Sequence, residues 1–363
     1  MITHLLSPSN PASAPPATSS SASNNSGANK YNAAEVARKM SRIMRYSPTY
    51  HLTFSLFTGS DTPTSWEIES AIAEYLQPLL DALSGISTFT VDSQIQFYAS
   101  LSSNVVPTWT PDDPTSNSTT AGKWLLKTED LSSFINSAEW PLVSITSYPT
   151  INFIVYIPTA AQSPLAISSS ATNSFLLPQW GAVKVLNPLP PQTHLTKEDL
   201  KSTLDTFAAQ LLALLGAPSN ALSLPIRLDS LTRQRSAELL TSASSTLGSL
   251  YRLTLALPSI SIPRTVAKSV DETIAALGNA CRELKRGAVG GKGGALDEGR
   301  KAAGEAESAF FEKSMVGQVY FPEEHKVAVY LPLMGPVGVP LVMSAVKELG
   351  RVWKAWRGGR VGV

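Results

Sequence analysis

One run near the C-terminus limits this chain more than any other feature. Twenty residues, Val327 to Val346, carry no charge, and a basic tail with Lys347, Arg351, Lys354, Arg357 and Arg360 follows them. At about 1.5 Å rise per residue, a helix of this length matches the roughly 30 Å hydrocarbon core of a bilayer. Pro332, Pro336 and Pro340 recur at every fourth position inside it. In a soluble helix each proline would remove a backbone bond and clash with the preceding turn. Membrane helices accept proline because neighbouring helices and local adjustments satisfy the freed carbonyls. The pattern therefore predicts a transmembrane helix over 327–346, with Gly335 and Gly338 suited to close packing against other helices. Upstream of the run only Lys313 and Lys326 lie within a comparable distance. The positive-inside rule then assigns residues 347–363 to the cytosol and everything before Val327 to the far side.

At 363 residues the chain can bury one large core or two smaller ones. A net charge of +1 with 16% charged residues excludes the electrostatic footprint of a nucleic-acid binder. The single cysteine, Cys281, excludes an internal disulfide framework and any cysteine-based zinc site. Residues 1–30 form a Ser/Pro/Ala/Asn tract without the basic start and apolar core of a signal peptide, and this composition predicts disorder. A large folded mass ahead of a C-terminal anchor needs something to direct it across the membrane. The expectation is that an N-terminal membrane helix is missing from this sequence.

Between tract and anchor the periodicity changes once. Tyr31 to Arg45 reads as a basic surface helix. Tyr50 to Thr58 alternates at period two and reads as a strand with Leu52, Phe54 and Leu56 on one side and His51 on the outer face. Thr64 and Glu67 have capping-box spacing ahead of a helix that Pro78 kinks and Gly85 ends. Phe89 to Tyr98 reads as a second strand with a turn near Asp92-Ser93, and 102–123 as a polar loop. Thr150 to Ile157 is nearly unbroken apolar and β-branched, as a strand covered on both faces should be. Phe175–Gly181 and Ala182–Leu186 read as two edges around a bend. Thr196 with Asp199 caps a helix that Gly216 stops. Then come three helices, Leu228–Leu257, Thr265–Arg286 and an Ala-rich Ala295–Lys313. In the second, Val266, Val270, Ile274, Leu277, Cys281 and Leu284 form the apolar line. The expected fold is α/β: a mixed β-sheet luminal domain flanked by helices (31–220), a helical bundle segment (221–326), one transmembrane helix and a basic tail.

The chemistry-bearing residues form no constellation. His4, His51, His194 and His325 match no metal-ligand spacing, and neither metal nor cofactor is expected. Cys281, a nucleophile in principle, sits on the apolar line of its helix and reads as core. Arg286 to Gly294 resembles a phosphate loop, but Arg286 stands where the first Gly is needed and Gly293 where Ser/Thr is needed. It also joins two helices, so it reads as a flexible linker. Asn24 and Asn117 begin Asn-x-Ser/Thr sequons, and Asn117 lies in the long polar loop where a glycan would be tolerated.

Several unusual strings come in order: Trp66-x-Ile68-Glu69-x-Ala71, Val91-Asp92-Ser93-Gln94-Ile95 and Asn152-Phe153-Ile154-x-Tyr156-Ile157-Pro158. After Ser163-Pro164-Leu165 come Pro178-x-Trp180-Gly181, Gln210-Leu211-x-x-Leu214-Leu215-Gly216 and Ala309-Phe310-Phe311. Tyr320-Phe321-Pro322 and Tyr330-x-Pro332-Leu333 close the series. The set closely resembles the PIG-S family, membrane subunits of the endoplasmic-reticulum GPI transamidase. The resemblance runs from about Tyr50 to the basic tail. It implies a non-catalytic role beside PIG-K, a caspase-like cysteine protease, and beside PIG-T, PIG-U and an aminopeptidase-like subunit. It also implies two membrane helices flanking a luminal domain, of which this chain has only the second. The sequon the family often carries before the Val-Asp-Ser-Gln-Ile string is absent at Ser87-Thr88-Phe89. A reading from a different class is a membrane-anchored luminal hydrolase using Ser or Cys281 as nucleophile.

Overall fold

A computed structural model of the chain describes residues 43–102, 104–111, 122–136, 140, 142, 146–168, 170–188, 192–218, 223–257, 262–315 and 323–358. The chain forms two compact units. One runs to Glu238 and takes in Ala280–Asp297; the other comprises Leu239–Asn279 and the residues from Glu298 onward.

The first unit is built on a five-stranded sheet. Its strands are β1 (Thr49–Thr58), β3 (Thr88–Gln96), β6 (Thr150–Ile157), β8 (Ser174–Leu177) and β9 (Gly181–Val185), in the order β3-β1-β6-β9-β8. All neighbours are parallel except β8, which runs antiparallel to β9 as a hairpin. Two short strands, β2 (Ser65–Trp66) and β10 (His194–Leu195), pair apart from it. A third sheet joins β4 (Thr108–Thr110), β5 (Lys123–Leu126) and β7 (Leu165–Ile167). This small sheet occupies part of what reads in sequence as a polar loop.

From β1 the chain crosses to β3 through a helix, then returns past β1 to β6. Right-handed crossovers taken in opposite directions put their connections on opposite faces of a sheet, and the two cores follow that rule. Leu52, Phe54, Leu56, Phe153 and Val155 pack under the helical face, with Leu76, Leu83, Leu204, Phe207 and Leu211. Phe57, Ile154, Tyr156 and Val183 pack on the other face against Phe134, Trp140 and Phe175. Covered on both faces, β1 and β6 are buried almost throughout. For that reason His51 is not on an outer face. It is 4% exposed, its Nδ1 lies 2.8 Å from Thr90 Oγ1, and its Nε2 lies 3.2 Å from Asp92 Oδ2. The edge strand β3 runs unbroken through Asp92-Ser93 because its whole length pairs with β1.

The helix after β2 comes in three pieces: α1 (Ile68–Ala71), a π-helical turn (Ile72–Leu76) and α2 (Gln77–Leu83). Pro78 lies in the first turn of the last piece, where its missing N–H is tolerated, and the π turn absorbs the mismatch ahead of it. Glu67 is the N-cap residue, but no side chain closes that cap. Thr64 and Glu67 are engaged elsewhere: Thr64 Oγ1 donates to the Thr193 carbonyl, and Glu67 Oε2 accepts from Lys197 N–H.

The expected cap on α3 (Lys197–Leu214) is present in full. Asp199 N–H donates to Thr196 Oγ1, Thr196 N–H donates to Asp199 Oδ2, and Gly216 follows with φ +85. Thr196→Ala is expected to lower stability by about 1 kcal/mol, read as a fall in the urea midpoint. The Thr196 hydroxyl and backbone N–H hold the Asp199 carboxyl below its ordinary value of 3.8. A depressed folded pKa means the stabilisation is complete above the unfolded value and disappears as pH falls through the folded one. The gap between Thr196→Ala and the parent should therefore narrow on acidification below 3.8.

The expected helix over Tyr31–Arg45 lies outside the described residues as far as position 42, and Ile43–Arg45 are not helical. Tertiary bonds take that backbone instead: Met44 N–H donates to the Leu214 carbonyl, and the Met44 carbonyl accepts from Arg235.

Beyond α3 come α4 (Leu224–Ala256), α5 (Arg264–Arg286), α6 (Ala295–Phe310) and α7 (Glu323–Gly358). Within the second unit, Ala243, Ala276, Ala302 and Ala306 form one small core, and Leu250, Val266, Ala309 and Met315 another. The segment between α5 and α6 is an ordered turn. Gly287, Gly291 and Gly293 take positive φ, Val289 is buried, and Ala295 N–H donates to the Ala288 carbonyl. In α7 the stretch Ala328–Lys354 is long and apolar enough to cross a membrane, and its three prolines do not interrupt the helix.

Candidate functional site

An open parallel sheet binds ligands where connections from adjacent strands leave to opposite faces, outside the strands' carboxyl ends. Here that place lies between β1 and β6. It is closed by backbone. Gly59 N–H donates to the Ile157 carbonyl at 2.8 Å, and Ala99 N–H donates to the Thr58 carbonyl at 2.8 Å. A side chain on Gly59 would meet Thr159 Cγ2 at 2.7 Å and Thr159 N at 2.9 Å. The hydroxyls there turn back on the chain: Thr58 Oγ1 donates to the Ser60 carbonyl, and Ser60 Oγ to that of Thr62. Beneath them Phe134 meets Trp140 and Tyr156 edge to face, Phe57 lies tilted against Trp140, and burial pushes the Tyr156 phenol up to about 12. The crevice is a packed core.

Of the residues singled out in sequence, the fold unites His194 with partners from far away. Pairing of β10 with β2 places His194 beside Ser65. His194 Nδ1 lies 2.7 Å from Ser65 Oγ, and its Nε2 lies 3.4 Å from Glu67 Oε1. With 44% of His194 and 43% of Glu67 side-chain surface exposed, water reaches the whole group. Such a trio clasps the entry of α1 to the entry of α3. Ser65 and Glu67 stand 129 and 127 residues from His194, so no local spacing announces them.

Cys281 is half-buried on α5. Among the described residues no three His, Cys, Asp or Glu side chains gather as metal ligands. Asn24, Asn117, His4 and the Tyr320-Phe321-Pro322 string lie outside the described residues, as does the His325 side chain. Lys184, in the interior strand β9, is buried and donates to the Ser202 carbonyl, Ser202 Oγ and Thr206 Oγ1. Burial pushes its ammonium below the ordinary lysine value, yet all three donors are satisfied by α3. It ties helix to sheet.

Apolar surface also lies open on the helical unit. Ile274, expected on the packed line of α5, is 56% exposed. The packed side of that helix instead runs through Val266, Thr273, Ala276 and Ala280. Small residues there let the helices approach closely, which rotates the branched side chains outward. A groove results, lined by Leu247, Leu250, Tyr251, Val266, Val270 and Ile274. Alanine at 276 and 280 was the available signal for this rotation.

Sequence comparison matches residues 10–355 to the family described as Phosphatidylinositol-glycan biosynthesis class S protein, PIG-S. The GPI-anchor transamidase component PIGS of Rattus norvegicus is 35% identical over 345 residues, covering 87% of this chain and 60% of that protein. Its Homo sapiens counterpart is 34% identical over 347 residues, with the same coverage. The GPI transamidase component PIG-S homolog of Schizosaccharomyces pombe is 31% identical over 322 residues, covering 85% of this chain and 55% of that protein. The chain thus spans about 60% of the length of the mammalian relatives it matches.

Proposed function

The chain belongs to the PIG-S family, and from that premise we propose that it acts as a non-catalytic subunit of the endoplasmic-reticulum GPI transamidase, supporting attachment of GPI anchors to protein C-termini. The observation that carries this reading is the family match over residues 10–355. In it, the catalytic cysteine belongs to a PIG-K-type chain, with PIG-T, PIG-U and an aminopeptidase-like subunit as further partners. The closed crevice at the ends of β1 and β6 suits a scaffold better than an enzyme. Residues 327–346 are the membrane anchor, with 31–220 and 221–326 in the lumen and the basic tail in the cytosol. Asn117, and secondarily Asn24, are the candidate glycan sites of the luminal part.

Expression of the tagged chain in cells depleted of their own PIG-S subunit tests this. The chain should resist carbonate extraction, lose an endoglycosidase-sensitive mobility shift on Asn117→Gln, and co-purify with the other transamidase subunits. Membrane-bound, folded chain that recovers none of them would sink the proposal.

The Ser65–His194–Glu67 geometry favours a second reading, a membrane-anchored hydrolase, for which Cys281 is the other candidate nucleophile. Against it, the trio stands open, so solvent screens the charge interactions that would activate a serine. Purified chain turning over acyl substrates, with the turnover abolished by Ser65→Ala or Cys281→Ala, would establish the enzyme and overturn the scaffold role.

A further inference from the structure

The exposed apolar side chains of the helical unit collect at one end. Tyr251 and Leu255 lie in the last turns of α4, Leu257 follows that helix and Ile262 precedes α5. Phe311 comes directly after α6. Apart from Leu257, each of these is more than half exposed. They share an end because α4 runs towards it, α5 runs away from it and α6 returns. Leu250, Val266, Ala309 and Met315 interlock there, and Ile262 and Met315 line the same groove. A contiguous apolar surface of this kind marks an interaction site.

Its charged frame carries both signs. Arg252, Arg264, Lys268 and Lys313 flank the apolar residues. The acidic residues nearby are Asp271 in the groove wall, Glu272 paired with Lys268 at 3.6 Å, Glu307 one turn before Phe311, and Glu312. The same end leads into α7. From Met315 the chain has eight steps to Glu323, where α7 begins, and the apolar stretch opens at Ala328. Extended and helical rises together bring that to roughly 35 Å at most. A membrane crossed by α7 therefore lies within reach of this end of the helices.

We infer that the apolar end is a second, interfacial membrane contact. Leu255, Leu257, Ile262 and Phe311 enter the headgroup–acyl boundary of the bilayer that α7 crosses, while Arg252, Arg264 and Lys268 meet lipid phosphates. Apolar residues backed by cations are the composition of interfacial membrane elements, and the attraction is strengthened by anionic lipid. Continuity with the anchor selects a lipid surface over an amphipathic helix from another protein. The inference rests on α7 spanning the membrane, and its test reads the two separately.

The full chain, carrying Cys281→Ala, is reconstituted into vesicles of phosphatidylcholine and phosphatidylserine with one environment-sensitive fluorophore on a new cysteine. The positions are Leu257→Cys, Ile262→Cys, Val339→Cys in the anchor, and Lys301→Cys, exposed on α6 about 15 Å from Phe311 along the helix. Doxyl-lipid should quench the labels at 257, 262 and 339 but not at 301, and aqueous iodide should do the reverse. Raising the phosphatidylserine content should deepen quenching at 257 and 262. An unquenched 339 overturns the anchor and this contact with it. A quenched 339 with iodide-accessible 257 and 262 overturns the contact alone. Labels at 257 and 262 shielded from both quenchers point to a protein partner and also overturn it. All the tip positions are exposed, so cysteine there leaves packing untouched.

Discussion

Gly181→Ala is expected to disrupt the α/β unit outright, with loss of the cooperative unfolding transition or a collapse of its midpoint. Gly181 opens β9 at φ +155 and pairs in register with Asn152 of β6. A Cβ there would overlap the Asn152 carbonyl oxygen and fall 2.8 Å from its carbonyl carbon and amide nitrogen. Backbone atoms inside a sheet cannot swing aside as a flexible side chain can. Relief requires β9 to part from β6, which would expose Ala182 and Val183 and unseat β8, which pairs with β9. Backbone strain of about 1–3 kcal/mol and overpacking of similar size combine to roughly 2–6 kcal/mol. That is comparable with the whole stability of many domains, about 5–15 kcal/mol. Gly85→Ala is the control, since nothing lies within 4 Å of a Cβ there. Circular dichroism and urea titration of the two variants decide the matter. A Gly181→Ala chain that unfolds with the parent's midpoint would show that the strand pairing is wrong.

Arg235→Ala should be the next most damaging change, at about 3–5 kcal/mol. The guanidinium is buried. It donates to the Met44 carbonyl at 3.0 Å, the Leu215 carbonyl at 2.9 Å and Glu238 Oε2 at 2.6 Å, and lies 5.9 Å from the Tyr46 ring centroid. It thereby pins the segment entering β1 and the C-terminal end of α3 to α4. Alanine would leave two interior carbonyls without their donor, at about 1–3 kcal/mol each. Lysine should restore only part of the loss, because one ammonium cannot reproduce a fork that reaches two carbonyls and a carboxylate. Glu238→Gln should cost less, about 0.5–1 kcal/mol, because its carboxylate is more than a third exposed. Equal midpoints for Arg235→Ala and Glu238→Gln would refute the pinning role.

Those two residues also mark where sequence reading ends. Periodicity found β1, β6, α3 and the three long helices because each element repeats its burial pattern over many residues. It placed the α3 cap and its glycine stop because Thr196, Asp199 and Gly216 act within one turn of the helix they bound. The same spacing at Thr64 and Glu67 was misleading, because both groups are taken by the backbone of Thr193 and Lys197, some 130 positions away. His51 gave an outward-facing pattern, yet cover on the second sheet face buries it. Ile274 fits an apolar line by spacing, but Ala276 and Ala280 let the helices close in on a neighbouring line and leave Ile274 outside.

Sequence alone determined the long uncharged C-terminal run, the change from sheet to helices, and the ordered motifs that carry PIG-S membership. These properties are local or compositional, so they survive without knowledge of what packs where. Only the tertiary structure decided that the sheet's ligand crevice is closed, that Ser65, Glu67 and His194 meet, and that an apolar end of the helices is left open. Each of these depends on pairing across tens to more than a hundred residues. There burial and the backbone's need for hydrogen-bond partners override any local preference.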